Sequence, residues 1–124
     1  MPLEIKVNME NQENGSFKLK KDRYRNVRGG EAHLLDIRCV KCNSLIITYQ
    51  KDGIGGLLRC YLNRIMYPPE LERLQYHFNR NNLKSLPNLT CKSCGLLIGT
   101  PMLYMDGRVA YRLQRGNFLK RRIF

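Results

Sequence analysis

The sequence predicts a small α+β domain in which antiparallel β-hairpins are joined by a helical insertion. Three observations predict it. Two Cys-x-x-Cys steps, CVKCN at 39–43 and CKSCG at 91–95, each run into strand-forming residues. Between them, Pro68-Pro69 opens a stretch with apolar residues at helical spacing. The chain has 124 residues, 43% of them apolar and none tryptophan, which is the size of one domain with a limited core.

Residues 1–16 read as a flexible start, rich in Asn, Gln and Glu, although LEIKV alternates like a short strand. A single domain over 17–124 follows. Its first segment, FKLKKDRYRNVR (17–28), interleaves apolar and basic residues as a strand or arm with one charged face. Gly29-Gly30 ends it. EAHLLDIR leads into the first cysteine step, and SLIITYQ after it is a β-branched strand closed by the KDGIGG turn. In LLRCYLNRIMY, Leu57, Leu58, Tyr61, Leu62, Ile65 and Met66 fit one face of a helix; a strand with Leu58, Cys60, Leu62 and Met66 on one face is the alternative. After Pro68-Pro69, Glu70 and Glu72 sit where negative charge favours a helix N-terminus, with Leu71, Leu74 and Phe78 following. Beyond the second cysteine step, LLIG and MLYMDGRVAYRL read as strands, turned at Asp106-Gly107. The chain ends in a basic strand or tail, RGNFLKRRIF.

Five cysteines constrain the chemistry. The N-terminal residues lack the apolar core of a secretory signal, so the expected location is cytoplasmic, where thiols stay reduced and paired Cys-x-x-Cys steps point to metal before disulfide. Structural zinc takes four ligands in a tetrahedron, which Cys39, Cys42, Cys91 and Cys94 can supply. The residue after each second cysteine, Asn43 or Gly95, tolerates the positive φ such a turn needs. Iron could use the same ligands. CVKCN and CKSCG resemble the two knuckles of the zinc-ribbon superfamily, which bind one metal between hairpin-borne Cys-x-x-Cys turns. The resemblance covers those ten residues and the strands after them; it implies one structural Zn2+ and leaves the task open. The 48 residues from 43 to 90 imply an insertion between the knuckles. Cys60, among apolar neighbours, reads as a small buried hydrophobe, and His33 and His77 as isolated residues.

Twenty-two Lys and Arg against ten Asp and Glu give a net charge of +12, which favours polyanionic partners. The charge concentrates in two stretches: Lys18, Lys20, Lys21, Arg23, Arg25 and Arg28; then Arg108, Arg112, Arg115, Lys120, Arg121 and Arg122. Along one strand Arg108, Arg112 and Arg122 would share a face, with Tyr104, Phe118 and Phe124 supplying flat apolar surface. Arginine forks and aromatics are equipment for gripping phosphates and unstacked bases, so nucleic acid, RNA before DNA, is the expected partner, in a ribonucleoprotein or transcription complex. A protein-interaction subunit meeting an acidic partner is the alternative. No run is long enough to span a membrane. No paired carboxylates, HExxH, phosphate-cradling loop or Gly-x-Ser-x-Gly is present, which argues against an enzyme.

Overall fold

The structure, a computed structural model, describes residues 5–6, 16–25, 31–53 and 55–123. Most of the expected flexible start lies outside them; β1 (Ile5–Lys6) and β2 (Ser16–Phe17) form a short antiparallel ladder. The remaining strands are β3 (Ala32–Cys39), β4 (Leu45–Asp52), β5 (Arg59–Tyr61), β6 (Ile65–Tyr67), β7 (Leu89–Thr90), β8 (Leu97–Leu103), β9 (Val109–Leu113) and β10 (Phe118–Arg122). Among the described residues they make two antiparallel four-stranded sheets, ordered β10-β3-β4-β6 and β5-β9-β8-β7. Two consecutive one-turn helices, α1 (Pro69–Glu72) and α2 (Leu74–His77), join β6 towards β7. The α+β expectation, with hairpins and a helical insertion, holds.

The chain crosses between the sheets repeatedly: from β4 to β5, back to β6, over the helices to β7, and again from β9 to β10. Strand alternation fills the space between them. Leu35, Ile37 and Cys39 of β3 point inward with Ile47 and Tyr49 of β4; Cys60, Ile98, Val109, Tyr111 and Leu113 come from the other sheet. Each such side chain, fully buried, contributes roughly 1.5–3 kcal/mol. Leu34 and Gln50, opposite each other on the other face of the first sheet, are buried as well, and the arm at 18–25 hydrogen-bonds there. No helix among the described residues is long and apolar enough to cross a membrane.

The helix expected over 57–66 is replaced by β5, a single 3-10 turn (Leu62–Arg64) and β6. The reason is tertiary. Leu57, Cys60, Tyr61, Leu62, Arg64 and Ile65 are buried while Leu58 is 60% exposed, and both sheets offer this backbone a strand position. Its backbone instead pairs with β9 on one side of the turn and β4 on the other. The basic C-terminal stretch is a strand, paired with β3 from Phe118↔Cys39 to Arg122↔Leu35. Arg108, Arg112 and Arg122 therefore do not share a strand face: Arg108 lies in the β8–β9 connection, Arg112 on β9 and Arg122 in the other sheet.

Candidate metal centre

Each cysteine step is the turn of a β-hairpin, β3–β4 for the first and β7–β8 for the second. The two turns are built alike. The Asn43 N–H donates to the Cys39 carbonyl at 2.8 Å, and the Cys39 N–H to the Ser44 carbonyl at 2.9 Å. At the second, the Gly95 N–H donates to the Cys91 carbonyl at 2.8 Å and the Cys91 N–H to the Leu96 carbonyl at 2.9 Å. Closing this loop drives the residue after the second cysteine into the left-handed region: φ is 63° at Asn43 and 82° at Gly95. One pairing before each turn the register slips. Ile37↔Ile47 is followed by Arg38↔Leu45, and Leu89↔Gly99 by Thr90↔Leu97. The skipped residues, Ile46 and Ile98, are both buried, each seven positions after the first cysteine of its step. Such bulges re-aim the side chains beyond them, here the cysteines.

The result is one site. The Sγ atoms of Cys39 and Cys94 lie 3.5 Å apart, as do those of Cys42 and Cys91, and all four fall within 4.8 Å of one another. Four thiolates at about 2.3 Å from a zinc ion would stand about 3.8 Å apart, so the donor set fits a tetrahedral metal with only small adjustment. Each close pair takes one thiol from each knuckle, so a bound ion ties β3–β4 to β7–β8. The Ser44 hydroxyl donates to the Ser93 hydroxyl at 2.9 Å, a second link between the turns, and the Lys41 N–H reaches the Cys39 sulfur at 3.3 Å. Cys60 lies apart in the core, its thiol pushed up by burial. His33 and His77 are not in the cluster.

Basic residues beside the ligands are already engaged. The Arg38 guanidinium donates to the Asn43 carbonyl at 3.0 Å, stiffening the first knuckle, and Lys92 reaches Glu70 of α1 at 2.7 Å.

The two basic stretches are placed differently. In the N-terminal one, Lys18, Lys21 and Arg23 are exposed and Arg25 half-buried, while Arg28 lies outside the described residues, as does Phe124 at the other end. Lys20 is turned inward: its ammonium donates to the Asn63 carbonyl at 2.6 Å and to Gln75 at 2.9 Å, and burial lowers its pKa. In the C-terminal stretch, Arg112, Arg115, Lys120, Arg121 and Arg122 are exposed. Arg108 is held by Asp106 at 2.9 Å and stacked between two tyrosine rings.

Sequence reasoning did not foresee a buried ion network beneath the arm. Arg64, only 1% exposed, forks onto Asp22 at 2.7 and 2.9 Å and donates to Asp52 at 2.7 Å. Burial would pull its pKa down, but the hydrogen bonds to the two carboxylates outweigh that and raise it. The one available signal was Asp22, the single acid among six cations in its segment. Comparison with models of known protein families, with curated proteins and with solved structures gives no match for this chain, so what it is rests on the four thiols and the sheets they join.

Proposed function

We propose that the chain is a non-catalytic zinc-ribbon protein, its single Zn2+ structural, that binds nucleic acid through its exposed basic residues in a reduced, cytoplasmic setting. The observation that carries the partner is the row Lys120, Arg121 and Arg122 on an edge strand, with Arg115 in the turn before it. Phosphates can approach an edge strand from the open side, and Arg121, 70% exposed, makes only a long 3.5 Å contact with Asp36. Four thiolates fill a tetrahedral zinc and leave no position for a reacting water, which favours a scaffold over a catalyst. An all-thiolate tetrahedron excludes hard oxygen-seeking cations, and zinc is proposed over iron, which can use the same four ligands; metal analysis of the purified chain separates the two.

Binding of this kind is mostly to phosphate, so it depends steeply on salt and little on sequence. RNA is preferred in this reading because Phe118 lies on the same strand as this row, a flat ring of the kind that suits unstacked bases. The test is a salt titration against single-stranded RNA and DNA oligonucleotides, with the variant K120Q/R121Q/R122Q alongside the intact chain. Micromolar or tighter binding that fades with salt is expected, and the variant should flatten the salt slope by roughly 0.7 for each phosphate it no longer neutralises. No retention on either oligonucleotide at low salt would remove the nucleic-acid reading. An acidic protein partner docking on the same edge would then be the better account.

A further inference from the structure

At the end of the sheets away from the cysteines, a cleft of about 290 Å³ opens between the last residues of β4, the strand β5 and the β8–β9 connection. Arm residue Tyr24 forms part of its wall. Cations and rings alternate along it. The Arg108 guanidinium lies 3.8 Å from the Tyr24 ring centre and 3.6 Å from that of Tyr61. Tyr61 meets Tyr104 edge to face at 5.5 Å, and the Arg59 guanidinium sits 4.3 Å over the Tyr104 ring.

The two arginines differ in one respect. Arg108 has its counter-ion in Asp106. Arg59 has none among the described residues; its one hydrogen bond is to the Tyr61 hydroxyl at 3.3 Å. It also stands directly opposite Arg112 in the β5–β9 pairing, an arrangement of like charges that costs stability unless an anion relieves it. A second donor comes from a buried residue of the cleft wall. Tyr49, 2% exposed, accepts the Tyr61 N–H at 2.8 Å, but its own hydroxyl proton meets no acceptor among the described residues. The acid nearest at hand, Asp52, is committed to Arg64 and Gln50.

We propose that this cleft is a binding site for a small molecule carrying an oxyanion, a phosphate monoester or a carboxylate, with Arg59 and the Tyr49 hydroxyl as its donors. The stacked tyrosine holds the Arg59 plane in place, so its unused N–H groups are oriented before a ligand arrives. The volume is at the small end for ligand pockets, which suits a metabolite-sized molecule and not a polymer. This site is separate from the exposed edge proposed for nucleic acid and stands or falls independently of it.

The test uses the intact, metal-loaded chain titrated at constant ionic strength with inorganic phosphate, ribose 5-phosphate and succinate. Tyrosine fluorescence reports the binding, since no tryptophan interferes. Saturable one-site binding of at least one of the three is expected, and the arm that saturates tells phosphate from carboxylate. Arg59→Gln should weaken it about tenfold or more, and Tyr49→Phe about threefold to tenfold, both retaining one metal per chain. Arg80→Gln, on an exposed turn outside both sites, should bind like the parent. Absence of saturation with all three probes overturns the proposal. So does equal weakening by Arg59→Gln and Arg80→Gln, which would mark a general charge effect. If Tyr49→Phe does not fold, Arg59→Gln decides alone.

Discussion

Asn43 and Gly95 do the same work with different chemistry. Both hold positive φ so that a Cys-x-x-Cys turn can close, and nothing stands within 4 Å of where a Cβ at Gly95 would go. The requirement there is conformational, not steric. Arg64 is the opposite case, a residue whose surroundings dictate everything. With Asp22 and Asp52 it pins the basic arm onto the first sheet. Removing one member of a buried pair leaves an uncompensated charge, so Arg64→Ala should cost about 3–5 kcal/mol in urea unfolding. Asp22 is substantially exposed, so solvent screens its share, and Asp22→Asn should cost only about 1 kcal/mol while making the arm more sensitive to protease. The hydrogen bonds from Arg64 hold the Asp22 carboxyl down at about 2. Because its folded value lies below the unfolded one, its contribution is complete above roughly pH 4 and fades as pH falls towards 2. A midpoint for Asp22→Asn that tracked the parent through acid, with the same gap at pH 3 and pH 6, would show that this pair is not what the arm depends on.

Among the elements, the two knuckle hairpins repeat one device: cysteine turn, positive-φ residue, and a bulge skipping a buried isoleucine. The second hairpin adds a constraint the first lacks. At Gly99, opposite Leu113, an added Cβ would lie 3.0 Å from the Arg112 carbonyl oxygen and 3.1 Å from the Tyr111 Cβ. Backbone and core both have to give, so Gly99→Ala should destabilise the domain by about 1–3 kcal/mol. Thermal unfolding measures this, and a melting point unchanged from the parent would mean β8 and β9 can separate at little cost. β10 teaches a related point. Its basic residues read as a strand or a tail; they form a strand, which runs beside β3 from Cys39 onward. Cutting the chain before Phe118 would strip the strand that ends in Cys39 of its neighbour, which is why substitutions, not truncation, are the right probe of its charge.

For the molecule as a whole, the four-cysteine cluster takes two thiols from a hairpin of each sheet, so in the structural-zinc reading a bound ion would clamp the two sheets at one end. Structural zinc in small peptides contributes apparent free energies of ~10–16 kcal/mol, comparable to the whole stability of a domain. Stripping the ion with a strong chelator should therefore abolish the cooperative melt and reduce the far-UV strand signal, with recovery on adding one equivalent of zinc. Cys91→Ser should behave like the chelated protein. Reversible loss of one metal with an unchanged circular dichroism spectrum would show that the core holds the sheets unaided.

The ligand set was fully legible in the sequence, because a Cys-x-x-Cys turn is a local object: its spacing, its flanking Asn43 or Gly95 and the strand that follows all lie within a few residues. The hairpin at Asp106-Gly107 and the helix after Pro68-Pro69 were legible for the same reason, each set by local turn or capping chemistry. Residues 57–66 were not. Their apolar spacing fits a helix, but strand partners in both sheets outweigh that preference. The Arg59–Tyr49 cleft was invisible and the Arg64 network hinted at only by Asp22, for a further reason. Their members come from the arm, β4, β5, the 3-10 turn after it and the β8–β9 connection, which the crossings between sheets bring together. Local turn chemistry wrote the metal centre into the chain, whereas long-range packing chose which charges are buried, which are paired and which are left facing an open cleft.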